Sequence, residues 1–296
     1  METVGDALEY CSEQLEDAGV FFGHGSDNAW DEAVQLVLSV VDLPLDSDET
    51  VLTLPVNRMQ QNCLDALLTR RIDQRVPLPY LLGRAWFAGL ELRCDERAII
   101  PRSPIAELIL NAFRPWYIGD TPVQVLDLCC GGGAIGLATA HYFPHCHVDM
   151  LDMDPAALEL AYENARLLAM QERVSFHCSD LFEAVAGRRY DLILSNPPYV
   201  DATDLAAMPG EYHHEPELAL GSGSDGLDIT RRILAEAANH LHQDGLLVVE
   251  VGNSWESLEA VYPDVPFTWI DFEHGGHGVF ALTAKELREH GASLGQ

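Results

Sequence analysis

At 296 residues and 48% hydrophobic content, the chain has room for one large or two small domains, and enough apolar residues for a core. No apolar stretch nears the ~20 residues that a membrane helix needs; the acidic start Met1-Glu-Thr-Val-Gly-Asp6 lacks a basic n-region; and seven cysteines without a Cys-x-x-Cys pair point to reduced thiols in a cytoplasm. The net charge of −30 leaves no cationic footprint for direct nucleic-acid reading and favours a basic protein partner, although adaptation to a salty cytoplasm explains the same charge.

In chain order, the first elements are helical. Leu8, Cys11 and Leu15 recur at helical spacing within residues 4–19, and similar patterns span 29–41, ending before Pro44, and 58–75, ending before Pro77. Two short apolar runs around Gly89, within residues 80–93, predict a β-hairpin. From Ser103 onward helices and apolar strands alternate, which predicts an α/β fold with a parallel sheet covered on both faces. The boundaries expected are a helical unit over 1–78, a hairpin linker over 79–102 and a catalytic α/β domain over 103–290. Residues 267–272 and 279–283 read as two closing strands joined by a short connection. Residues 200–225 hold no convincing element, and such a long loop reads as a substrate-gripping lid or a surface excursion.

Chemistry concentrates at the predicted strand ends. Val125-Leu-Asp-Leu-Cys-Cys-Gly-Gly-Gly-Ala-Ile-Gly136 is a strand, a Gly-rich turn and the start of a helix. Such a turn lets backbone approach a ligand closely. It lacks the Gly-Lys-Ser/Thr of a phosphate loop, and Lys285 is the only lysine. The next strand, residues 147–152, ends in Asp152, placed to bind ribose hydroxyls or to cap a helix starting at Pro155. The strand at 174–178 precedes Asp180, an acceptor suited to an exocyclic amine or a turn cap. The strand at 190–195 runs into Asn196-Pro-Pro-Tyr199. Each proline holds the residue before it extended, so the corner is stiff. It presents the Asn196 amide, the Pro197 carbonyl and the Tyr199 ring, and two acceptors beside an aromatic plate suit a planar NH2 group. The histidines at 141, 145 and 147, and at 274 and 277, do not combine with cysteine or carboxylate at a metal-ligand spacing, so no metal is expected.

The series Asp127, Gly131-Gly-Gly133, Asp152, Asp180 and Asn196-Pro-Pro-Tyr199 resembles the class I S-adenosylmethionine-dependent methyltransferases that act on planar nitrogen, and among them the protein glutamine N(5)-methyltransferases. Pro101-Arg-Ser-Pro-Ile105, the run from Glu211 to Leu220, Gly223-Ser-Asp-Gly-Leu-Asp228, Glu250-Val-Gly-Asn-Ser254 and Gly275-Gly-His-Gly-Val-Phe280 are similar to the branch that modifies a ribosomal protein. The release-factor branch would show Pro-Arg-Pro-Asp-Thr-Glu at the first of these. Cys129 stands where the wider class usually has its first glycine, and Gly132 where a serine is common. The resemblance, over residues 78–283, implies a Rossmann-like methyltransferase sheet with a small helical domain and a hairpin linker. It implies S-adenosylmethionine as donor, S-adenosylhomocysteine as product, and the third large-subunit ribosomal protein as a basic substrate. A release factor, or less readily DNA adenine, is the alternative. The implied donor contacts are Asp127, Cys129, Gly131, Gly133, Asp152, Asp180 and Asn196. Asn196, Pro197 and Tyr199 are the implied catalytic group, and Asn196, Pro198 and Tyr199 the implied substrate contacts.

Overall fold

A computed structural model describes residues 1–295. The first 78 residues build a helical unit from Val4–Asp17, Ala29–Val41 and Arg58–Asp73. Thr3 and Asp6 form a capping box at the first helix, Asn28 caps the second, and Asn57 with Gln60 closes a second box at the third. Val4, Ala7, Leu8, Cys11 and Leu15 lie on one face of the first helix and pack against Leu36, Val37, Leu64 and Leu68 in a separate small core. The third helix stops at Asp73, short of the expected 75, where Arg75 takes a positive φ ahead of Pro77.

The hairpin is shorter than expected. Strands β1 (Arg84–Phe87) and β2 (Leu90–Arg93) pair antiparallel, joined by Ala88 and Gly89, both with positive φ. That is the backbone of a tight turn matched to strand twist. Tyr80 to Leu82 belong instead to a short helix, Leu78–Leu82, with proline in its first turn and Gly83 as a left-handed cap.

The remaining strands are β3 (Gln124–Leu128), β4 (His147–Asp152), β5 (Val174–Cys178), β6 (Tyr190–Ser195), β7 (Leu241–Glu250), β8 (Thr268–Trp269) and β9 (Val279–Thr283). They form one sheet in the order β5-β4-β3-β6-β7-β9-β8. All pairs from β5 to β7 are parallel, and β9 runs antiparallel to both β7 and β8. Leu and Val fill both faces of the central strands, as burial on two sides demands. The order reverses between β4 and β6 on either side of β3, and Leu128, Leu151 and Ser195 stand in register at that edge. Such a switch point opens a crevice at the carboxyl ends of the strands.

Two expectations change, and two helices appear that the sequence reading did not include. Residues 200–225 contain helix Ala202–Ala207, capped by Asp201, and 3-10 turns Gly210–His214 and Glu217–Ala219. The strand expected at 267–272 is only Thr268–Trp269. Helices Ala284–Glu289 and Gly291–Leu294 follow β9, the first opened by a Thr283–Glu286 capping box.

Candidate active site at the carboxyl edge of the sheet

The Gly-rich turn after β3 is a chain of left-handed residues: Cys129 (φ 58°), Gly131 (52°) and Gly133 (85°). A β-carbon on Gly133 would be strained by the positive φ and would crowd Ala161 Cβ at 3.1 Å and Leu137 Cδ1 at 3.2 Å. Cys129 bears a side chain in a conformation that favours glycine, which accounts for the glycine usual there. The Asp127 carboxylate is fully buried beneath the turn. Its Oδ2 accepts the Gly136 N–H at 2.8 Å, its Oδ1 has no partner, and burial pushes its pKa up to about 8.

Asp152, at the end of β4, holds the turn from the other side. Its Oδ2 accepts the Gly131 N–H at 2.8 Å and its Oδ1 the Asp154 N–H at 2.9 Å. Burial pushes its carboxyl above the usual range. The helix beginning at Pro155 is capped by Asp154, through the Ala156 N–H, so Asp152 is not that cap. Asp180 is half exposed and ion-paired with Arg232 at 2.9 Å, a partner that lies 52 residues away and that no local pattern marks.

After β6, Ser195 Oγ donates to the Leu128 carbonyl at 2.8 Å and ties the two strand ends together. The Asn196 Oδ1 is buried and has no hydrogen-bond partner. Tyr199 is held on every side. Its hydroxyl donates to Glu250 Oε1 at 3.0 Å, the other Glu250 oxygen accepts from Ser103 Oγ at 2.5 Å, and Ser254 Oγ donates to the Tyr199 carbonyl at 2.8 Å. A β-carbon on Gly252 would lie 2.5 Å from Tyr199 Cε2, and one on Gly226 would lie 2.2 Å from its carbonyl oxygen. Burial pushes both the Tyr199 phenol and the Glu250 carboxyl up. Glu250 and Ser103 stood out in the sequence only as parts of runs similar to the ribosomal-protein branch.

Two cavities meet at Asn196. The first encloses about 880 Å³, partly open to solvent, and is lined by Cys129, Gly131, Asp152, Asp180, Asn196 and Pro198 among others. The second encloses about 1470 Å³ and is lined by Arg102, Asn196, Pro197, Tyr199, Tyr212 and Glu250 among others. Pro198, expected beside the substrate, thus faces the first cavity, while Pro197 and Tyr199 face the second. Asp127 and Gly133, expected at the donor, line neither cavity and shape the turn from behind.

The first cavity suits a ligand rich in N–H and O–H donors. Its charged groups are Asp152, Asp154, Asp180 and Arg97; the Arg97 guanidinium is held by Asp95 and Glu163, and one Asp180 oxygen is paired with Arg232, which leaves the other free to accept. A nucleoside-bearing cation fits these acceptors better than a phosphate does. Among the described residues no group of three His, Cys, Asp or Glu side chains is placed to hold a metal.

Residues 106–209 match the family model of the methyltransferase small domain. The chain is 47% identical over 295 residues to the ribosomal protein uL3 glutamine methyltransferase of Xanthomonas campestris pv. campestris, covering 99% of this chain and 95% of that protein. It is 45% identical over 288 residues to the enzyme of the same name from Francisella tularensis subsp. tularensis, covering 97% and 92%. Among solved structures, the hMettl16 catalytic domain in complex with an RNA hairpin is similar in fold alone, with a TM-score of 0.51 at 16% identity over 77% of this chain and 81% of that one. Relatedness this close over nearly the whole length means that the chain belongs to the ribosomal protein uL3 glutamine methyltransferase family.

Proposed function

We propose that the protein methylates the side-chain amide nitrogen of a glutamine in large-subunit ribosomal protein uL3, using S-adenosylmethionine and releasing S-adenosylhomocysteine. The observation that carries this reading is Asn196: a buried acceptor without a partner, in the wall shared by two cavities. A buried acceptor left unpaired is costly, and an incoming NH2 group satisfies it.

S-adenosylmethionine, when bound, supplies a methyl already activated by its sulfonium. In the first cavity Asp152 would accept from ribose hydroxyls, Asp180 from the adenine amine, and the Gly131 backbone would hold the methionine end. The acceptor is the difficulty, because an amide lone pair is delocalised into its carbonyl. Asn196 Oδ1 and the Pro197 carbonyl take the two amide hydrogens, aim the nitrogen at the first cavity and stabilise positive charge as it grows on nitrogen. Tyr199, fixed by Glu250 and Ser254, packs on the amide plane. The methylated nitrogen is acidic and loses its proton to water, so no strong base is needed.

The helical unit over 1–78 recognises the substrate, residues 79–102 link it, and 103–290 carry the transfer. The −30 charge attracts a basic ribosomal protein and repels a DNA backbone. The work is cytoplasmic. The test is transfer of labelled methyl from S-adenosylmethionine to purified uL3, release factor and DNA side by side. Label on uL3 is the expected result; label on release factor or DNA alone overturns the choice of substrate.

A further inference from the structure

Phe21 is the one residue of the second cavity's lining, among the described residues, that comes from the first 78. It lies between the first two helices, and it is 41% exposed. Exposed as it is, it is rigidly held. Its N–H donates to Glu211 Oε1 at 2.9 Å, and its carbonyl accepts from Arg71 Nη2 at 2.8 Å. Arg71 is 2% exposed and also binds Glu32 at 2.5 Å and Glu211 at 3.1 Å. Three buried charges therefore fix the backbone of one exposed aromatic. Taking such charges out of water is expensive and is weak evidence for stability alone.

The ring itself is also positioned. It stands 5.7 Å from the Tyr212 ring, tilted at 54°, and a β-carbon on Gly23 would strike it at 2.6 Å. Val200 and Met208 line the same cavity. Two of the cavity's charged groups are already engaged, Arg102 by Glu215 and Glu250 by Ser103 and Tyr199. Asp204, Asn253 and His277 also line the cavity, so Phe21, Tyr212, Val200 and Met208 form an apolar, aromatic patch in a mixed wall that also holds the Asn196 corner. Rigid aromatics of this kind are the usual anchors of protein recognition.

We infer that Phe21 is a specificity-determining residue, whose ring takes an apolar side chain next to the methylated glutamine in the substrate protein. This rests on the reading of the chain as a protein glutamine methyltransferase. The substrate is then recognised by the helical unit and the catalytic corner together, with the Glu32–Arg71–Glu211 cluster setting the distance between them.

The test compares wild type with Phe21→Ala, Phe21→Leu and Phe21→Tyr in the full chain. Phe21→Ala should raise the KM for the protein substrate about tenfold, the loss expected on truncating one aromatic anchor. Its kcat should change far less than its KM, and its S-adenosylmethionine affinity by calorimetry should hold. Phe21→Leu should fall between, and Phe21→Tyr should restore the KM. A KM for Phe21→Ala within twofold of wild type overturns the inference. So does a fall in kcat and thermal midpoint with no change in KM, which marks a structural role. If wild type methylates release factor and not uL3, the proposed substrate falls, and the KM shift on release factor decides the case for Phe21. If wild type methylates no protein, both fall.

Discussion

At Asp152 each carboxylate oxygen already accepts a backbone N–H, from Gly131 and from Asp154, so one side chain shapes the Gly-rich turn and lines the first cavity. Asp152→Ala removes those bonds and the acceptor for a ribose hydroxyl together. Donor affinity should weaken by about 1–3 kcal/mol, and calorimetry showing unchanged affinity would remove Asp152 from the site. Asp127 works from behind the turn. Its pKa rises from an ordinary 3.8 to about 8 because the carboxyl is fully buried. Between those values the folded protein holds a proton that the unfolded chain releases. Its contribution to stability is therefore complete below about pH 4 and is lost as pH rises through about 8. Asp127→Asn keeps the acceptor for Gly136 and abolishes the titration. The drop in thermal midpoint from pH 5 to pH 8 should shrink in this variant; a drop as large as that of wild type contradicts the assignment.

Among the elements, strands β4, β6 and β9 were legible because each is a mostly apolar run closed by a polar residue or proline, a signal local to five or six residues. The spans β4, β5, β6 and β9 match the expected 147–152, 174–178, 190–195 and 279–283. The Asn196-Pro-Pro-Tyr199 corner was legible for the same reason, since proline geometry acts on the adjacent residue. Short helices were not. Leu78–Leu82 and Ala202–Ala207 run for less than two turns, too few for a period to emerge, and they depend on caps at Gly83 and Asp201. Contacts between distant segments were also hidden, notably Ser103–Glu250–Tyr199 and the cluster joining Glu32, Arg71 and Glu211. That cluster ties the helical unit to the segment following the Asn196–Tyr199 corner. Arg71→Met strands the buried Glu32 without its cation and leaves Glu211 only Arg75, at 3.5 Å. Equilibrium denaturation should show a loss of about 3–5 kcal/mol, and a loss below ~1 kcal/mol would mean that the pair is not buried in solution.

Across the whole molecule, the sheet order sets the chemistry. Its reversal at β3 opens one crevice, the Gly-rich turn and two strand-end carboxylates furnish the first cavity, and the corner after β6 divides it from the second. The helical unit adds Phe21 to the second cavity. On the proposed reading, donor and acceptor approach from different sides, and Asn196 lies in the wall common to both cavities. The most direct measurement is single-turnover methyl transfer to uL3 at saturating S-adenosylmethionine, comparing wild type with Asn196→Ala. The substitution removes a preorganised acceptor for the amide hydrogens and leaves Gly131, Asp152 and Asp180 in place. Donor affinity should hold while the transfer rate falls about a hundred- to thousandfold, the usual cost of losing one such group. A folded Asn196→Ala protein that transfers methyl at a near wild-type rate would contradict the account.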